Sequence, residues 1–190
     1  MLENKKIIVI YKSKYGSTKY YADWIAKNID ADLLEVSEAK IEKLKNYHTI
    51  VYGGPLFAFR ISGVKFITKN IDRIKHKKIV IFSTGILSET VENRNTVIET
   101  NFNQNVRSQI KLFMLKGDFD IKKINLLDKM LVNTIRRKLK KIHEDKRDEN
   151  MKEFLEIFEH VIERKDKKNA QSIIEYSNEQ WEENSNNDEK

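Results

Sequence analysis

Short β-branched apolar runs recur between residues 7 and 115, each separated from the next by a polar stretch. The runs are Ile7–Tyr11, Asp32–Val36, Thr49–Tyr52, Lys78–Phe82 and Lys111–Leu115. Continuous runs of this length suit strands buried on both faces of a parallel sheet. Between them, Tyr20, Trp24, Ile25 and Ile29 repeat at helical spacing, and Val64, Ile67, Ile71 and Ile74 do so after the third run. Strand and helix alternate, and crossovers are right-handed. The pattern therefore predicts an α/β fold, a doubly wound five-stranded parallel sheet with helices on both faces.

Beyond residue 117 the pattern changes. Ile124, Leu127, Met130, Leu131, Ile135, Leu139 and Ile142 share one helical face, which is expected to cover the sheet. A charged break, HEDKRDEN, separates them from a second amphipathic segment over 151–164. From Tyr176 onward the chain is rich in Glu, Asn, Asp and Ser, too poor in apolar surface to be firmly ordered. The predicted organisation is one domain over 1–170, with a core over 6–118 and added helices over 120–165, then a polar, flexible tail over 171–190.

Composition narrows the chemistry. The 190 residues suffice for one sizeable core. There is no cysteine, so thiol and disulfide chemistry are excluded and redox work needs a bound cofactor. Lys and Arg number 36 against 29 Asp and Glu, a formal net charge of +7. That excess favours anionic partners such as phosphate groups or an anionic membrane surface, although a solvated lysine-rich surface gives the same balance. No nucleic-acid partner is expected. His48, His76, His143 and His160 lack partners at ligand spacing, so no metal is expected either. The first apolar run is too short for a signal peptide or a membrane span, which points to a cytoplasmic location.

In a doubly wound sheet, ligands bind beyond the carboxyl ends of the strands, where the strand order reverses. Three stretches should meet there. The first is Ser13-Lys14-Tyr15-Gly16-Ser17-Thr18, three hydroxyls of Ser or Thr and one glycine at a strand-to-helix turn. Unpaired N–H groups at a helix N-terminus, neutral hydroxyls and a glycine able to take left-handed angles make an anion nest for a phosphate. A Walker loop and a dinucleotide fingerprint both fit worse, because the first needs Gly-Lys in a different order and the second needs three glycines. A plain helix cap by Ser17 or Thr18 remains the competing structural reading. The second stretch, YGGPLFAFRISG over 52–63, carries Phe57 and Phe59, which could flank a planar ligand, and Gly53 and Gly54, which would let the backbone approach a ring closely. The third, FSTGILSE over 82–89, offers Ser83, Thr84 and Gly85 to the polar edge of a heterocycle. Together the three point to a phosphate on a short chain attached to a flat ring.

SKYGST resembles the phosphate loop of flavodoxins, and YGGPLFAFRISG resembles the loop that lies beside their flavin. The resemblance covers residues 6–118 and implies a strand order 2-1-3-4-5, with FMN at the switch point between the first and third strands. It implies that Ser13, Lys14, Tyr15, Gly16, Ser17 and Thr18 hold the FMN phosphate. It also implies that Pro55, Leu56, Phe57, Ala58 and Phe59, with Ser83, Thr84, Gly85 and Ile86, border the isoalloxazine. Flavodoxins are acidic, and negative charge near the flavin keeps the reduced form a strong donor; this basic chain departs from that pattern. Residues 117–139 resemble a narrower group, the flavodoxin-domain proteins similar to menaquinone-dependent protoporphyrinogen oxidase.

Two functions from the flavin class follow. One is an oxidoreductase acting on a porphyrinogen with a quinone acceptor, and the other is a plain electron carrier serving a redox partner protein. A third reading, from another class, is an anion-binding regulatory module without flavin. Arg136, Arg137, Lys138, Lys140 and Lys141 lie in a basic amphipathic segment over 124–147 that is suited to peripheral contact with an anionic membrane.

Overall fold

The computed structural model describes residues 6–179. Five strands form a parallel sheet in which β1 (Ile7–Tyr11) lies between β2 (Asp32–Glu35) and β3 (Thr49–Phe57). After a two-residue β4 (Arg60–Ile61), which pairs antiparallel with the end of β3, the sheet continues through β5 (Lys78–Gly85) to β6 (Ile110–Lys116). The order is β2-β1-β3-β5-β6, the predicted doubly wound topology with one short extra strand.

Alternation along the strands sends neighbouring side chains to opposite faces. Ile8, Ile10, Ile50, Tyr52, Ile79, Ile81 and Leu112 meet α2 (Lys65–Thr68), α3 (Ile71–Ile74), α4 (Val91–Asn101) and α5 (Gln104–Arg107). Ile7, Val9, Val51, Val80 and Phe82 meet α1 (Ser17–Asn28) on the other face. The single helix expected over 64–74 is split at Asn70, whose φ of −112° takes it out of helical geometry.

The third and fourth strands run past their expected ends. Gly54 pairs with Ser83 and Pro55 with Thr84, so the ladder carries Gly-Gly-Pro as strand despite a composition that favours turns. Proline lacks a donor at this position, but its carbonyl accepts from Ser62 N–H at 2.9 Å.

The extension comprises α6 (Leu126–Lys140), α7 (Glu149–Glu156) and α8 (Gln171–Asn178). Helix α8 falls where a flexible tail was expected. Ile173 and Ile174 bury against the α1 face of the sheet, and the buried Lys78 ammonium at the start of β5 donates to the carbonyl of Tyr176. Those two isoleucines were the signal that the polar residues around them masked. Residues 180–190 of the expected tail lie outside the described residues. The apolar face of α6 does not cover the sheet. Val132 is the residue of this helix that is buried, in a small cluster with Ile124, Ile157 and Ile162.

Candidate functional site

β1 ends at Tyr11, and the chain must turn before α1 can pack back on the sheet. Gly16 makes that turn with φ 95°, a left-handed angle that favours glycine, and serves as the backbone N-cap. As glycine, the N-cap residue has no side chain to cap α1. The Ser13 hydroxyl instead accepts from Gly16 N–H at 3.2 Å and Lys19 N–H at 3.3 Å, bracing the loop. The backbone N–H groups of Tyr15, Ser17 and Thr18 make no hydrogen bond among the described residues. A β-carbon on Gly16 would meet nothing within 4 Å, so the turn borders open space. A helix N-terminus with unpaired donors beside open space suits an anion.

The hydroxyls do not all face that space. Thr18 Oγ1 is buried and lies 2.7 Å from Thr84 Oγ1 at the end of β5. Ser17 Oγ accepts from Asp118 N–H at 3.1 Å. These two side chains fasten the loop to the ends of β5 and β6, so the donors left at the turn are backbone N–H groups. Gly117 N–H donates to Gly85 O at 2.8 Å, closing the same corner. The first and third predicted stretches therefore meet through Thr18 and Thr84, and the second joins them through the Pro55–Thr84 pair.

The second stretch is a hairpin. Phe57 pairs with Arg60 across a two-residue turn in which Ala58 (φ 46°) and Phe59 (φ 62°) are both left-handed. Such turns ordinarily take Asn and Gly, so this one is strained. Asn101 of α4 holds it: its amide donates to Phe59 O at 2.6 Å, and its carbonyl accepts from Ile61 N–H at 2.8 Å. Phe57 is 43% exposed, whereas Phe59 packs on the core. Ala58 is exposed, and Pro55, Leu56, Gly85 and Ile86 are half-buried. At Gly53 and Gly54 the space a side chain would take is filled by the protein itself. A β-carbon at Gly53 would overlap the Phe82 ring, and one at Gly54 would overlap Ser62 O, so both serve internal packing. Ser83 Oγ is buried without a partner among the described residues, an unused polar atom near the end of β5.

The extension clamps this pole at three carboxylates. Asp128, in the first turn of α6, binds the Lys14 ammonium at 2.6 Å and accepts from the Tyr15 hydroxyl. Those two partners hold its carboxyl below the usual range. Glu153 of α7 accepts from Ser88 N–H at 2.9 Å, the Ser88 hydroxyl and the Lys116 ammonium at 2.9 Å. Burial pushes this carboxyl up, but Ser88 and Lys116 outweigh it and the net direction is down. Asp118 accepts from Arg164 and Lys165 N–H groups, each at 2.9 Å, and from the Lys165 ammonium at 2.7 Å. Its carboxyl is likewise lowered, the Lys165 contacts overcoming burial. None of these acids was singled out from the sequence, where they are ordinary members of charged stretches. A cleft of about 490 Å³ between α6 and α7, lined by charges of both signs, shares no residue with the three loops.

The flavodoxin domain family model matches residues 8–150. Among solved structures, the chain is similar to a flavodoxin from the domain Archaea (16% identity, 81% of this chain and 96% of that one, TM-score 0.40). It is similar to oxidised Flavodoxin 2 from Bacillus cereus (17% identity, 80% and 93%, TM-score 0.43). A third is two-electron reduced Megasphaera elsdenii flavodoxin (13% identity, 58% and 85%, TM-score 0.44). No curated protein matches the sequence significantly.

Proposed function

This chain belongs to the flavodoxin domain family, and from that premise we propose that it binds FMN where the three loops meet and transfers electrons through it. The observation that carries the reading is the row of unpartnered N–H groups on Tyr15, Ser17 and Thr18 at the start of α1, next to the left-handed Gly16. The donor set fits a phosphate monoester: backbone dipoles, a bracing Ser13 and the Lys14 cation close by. Phe57, exposed at the hairpin, offers a ring face to a flat heterocycle, and the ends of β3 and β5 offer backbone groups to its edge. FMN, when bound, supplies one- or two-electron transfer; the protein's part is to hold it and set its surroundings.

The test is a titration with FMN, riboflavin and inorganic phosphate, followed by visible absorption. FMN should bind at one per chain and at least about tenfold more tightly than riboflavin, since charge-assisted hydrogen bonds to the phosphate contribute about 1.5–3 kcal/mol each. Gly16→Val should weaken FMN and leave riboflavin little changed. Equal affinity for both flavins would remove the phosphate assignment. Phosphate binding with no flavin binding would instead favour the regulatory module.

The finer reading is oxidation of protoporphyrinogen IX with a quinone acceptor. It is supported by the resemblance of residues 117–139 and by the attachment of that segment to two of the three loops, through Asp128 to Lys14 and Tyr15 and through Gly117 N–H to Gly85 O. FMN-loaded protein that reduces a menaquinone analogue at the expense of protoporphyrinogen would establish it. Reduction of partner proteins alone would leave the plain carrier.

A further inference from the structure

The outward side of α6 is divided along its length. Helix residues advance by about 100° each, which places Leu126, Leu127, Met130 and Leu131 together on the first two turns. The same side carries Arg137, Lys138 and Lys141 at the other end. The four apolar residues are 72%, 77%, 61% and 47% exposed. They are four of the nine large hydrophobic residues exposed among the described residues, gathered on one helix rather than scattered. Scattered exposure needs no explanation, but a contiguous patch does. The three cations are exposed too. No carboxylate interrupts this side, because Asp128 is turned to Lys14 and Tyr15.

We propose that α6 docks the protein on an anionic phospholipid surface. The leucines and Met130 enter the boundary between headgroups and acyl chains, and Arg137, Lys138 and Lys141 lie on lipid phosphates. The net charge of +7 acts in the same direction. A second copy of the chain fits less well. In a parallel pair the two basic ends would face each other, and in an antiparallel pair each would lie on the other's leucines. Asn125 N–H donates to the Tyr15 hydroxyl at 3.3 Å, so the docked side adjoins the 13–18 loop, and a membrane-borne electron donor or acceptor would meet the cofactor pole. The inference does not rest on flavin binding.

The experiment is co-sedimentation of the full chain, with and without FMN, with vesicles of phosphatidylcholine alone or mixed with phosphatidylglycerol. The chain should bind the mixed vesicles and bind neutral ones far more weakly. Arg137→Gln/Lys138→Gln/Lys141→Gln should lower the partition coefficient on the order of a hundredfold, about fivefold per cation. Leu127→Ser/Met130→Ser should also release the protein, with its thermal transition unchanged because both residues are exposed. Absence of binding to the mixed vesicles, or binding that both variants retain, would overturn the proposal. So would a dimer in sedimentation equilibrium that Leu127→Ser/Met130→Ser dissociates while vesicles bind nothing. Retention on immobilised polyglutamate without vesicle binding would give the face to an acidic protein instead.

Discussion

Every residue of β1 is buried, whereas α6, three times as long, buries Val132 alone among its described residues. The sheet keeps its form by removing apolar surface from water on both sides. Of the extension, α8 joins the sheet's core, whereas α6 and α7 share a small cluster around Ile124, Val132, Ile157 and Ile162 and are otherwise tied down through Asp118, Asp128 and Glu153 at the pole where the loops meet. Apolar burial is indifferent to pH and tolerates no voids. Carboxylate clamps respond to pH, and they tie α6 and α7 to the loops that meet at this pole. Two modes of attachment within one chain should therefore come apart under different stresses.

The largest expected effect lies in the sheet. Ile81 is fully buried in the centre of β5. Ile81→Ala should cost about 2–5 kcal/mol of global stability, the lost transfer energy plus a cavity. Denaturant unfolding would show a lower midpoint for the whole chain. Val132→Ala, equally buried but in the small cluster, should instead speed hydrogen exchange in α6 and leave the β-strand amides protected. Equal loss of protection in strands and α6 in the second variant would show that the two regions form a single cooperative unit.

This contrast explains what could be read from the sequence. Strands buried on both faces leave unbroken apolar runs, so Ile7–Tyr11 and Lys78–Phe82 announce themselves, and their order fixes the topology. The strand ends do not, because Gly54 and Pro55 are held extended by partners on β5 rather than by their own preference. At the site, glycine and hydroxyls between strand and helix mark the 13–18 turn. Where the hydroxyls point was hidden, since Thr18 finds Thr84 across 66 positions and Tyr15 finds Asp128 across 113. Helical periodicity showed that α6 is amphipathic. Periodicity alone cannot say whether the apolar side meets the sheet or the solvent, and here Leu126 and Leu127 meet the solvent.

The middle-sized effect uses acid. Asp118, Asp128 and Glu153 all have carboxyls held below their ordinary values in the folded chain. In the unfolded chain such groups titrate near about 4. A lowered folded value means that their stabilisation is complete above the unfolded pKa and is lost as pH falls through the folded values. As pH falls below about 4, α6 and α7 should loosen first, their amides exchanging faster while the strands stay protected. Glu153→Gln, which keeps the shape but gives up the charge toward Lys116, should cost about 1–3 kcal/mol at neutral pH. It should also make the acid response of α7 shallower. A single acid transition, with strands and extension exchanging together in both proteins, would break the comparison.

The smallest effect lies inside the core region, at the hairpin turn braced by the Asn101 amide. Ala58 and Phe59 both take left-handed angles, each costing an ordinary residue roughly 1–2 kcal/mol. Asn101 offsets this by binding both sides of the turn. Glycine at position 58 removes the steric cost but loses about 0.5–1 kcal/mol to its greater freedom in the unfolded chain. Ala58→Gly should therefore stabilise the protein by about 0.5–1 kcal/mol, read as a higher denaturant midpoint with an unchanged slope. Strained turns are retained where they hold a ligand-facing residue in place, and Phe57 sits at the base of this one. If the turn presents Phe57 to a flat ring, the more stable variant should bind FMN a few-fold more weakly, and Asn101→Ala should weaken FMN as well while lowering stability. A gain in stability with unchanged FMN affinity would detach the strain from the site. No gain at all would mean that Asn101 already relieves the turn fully.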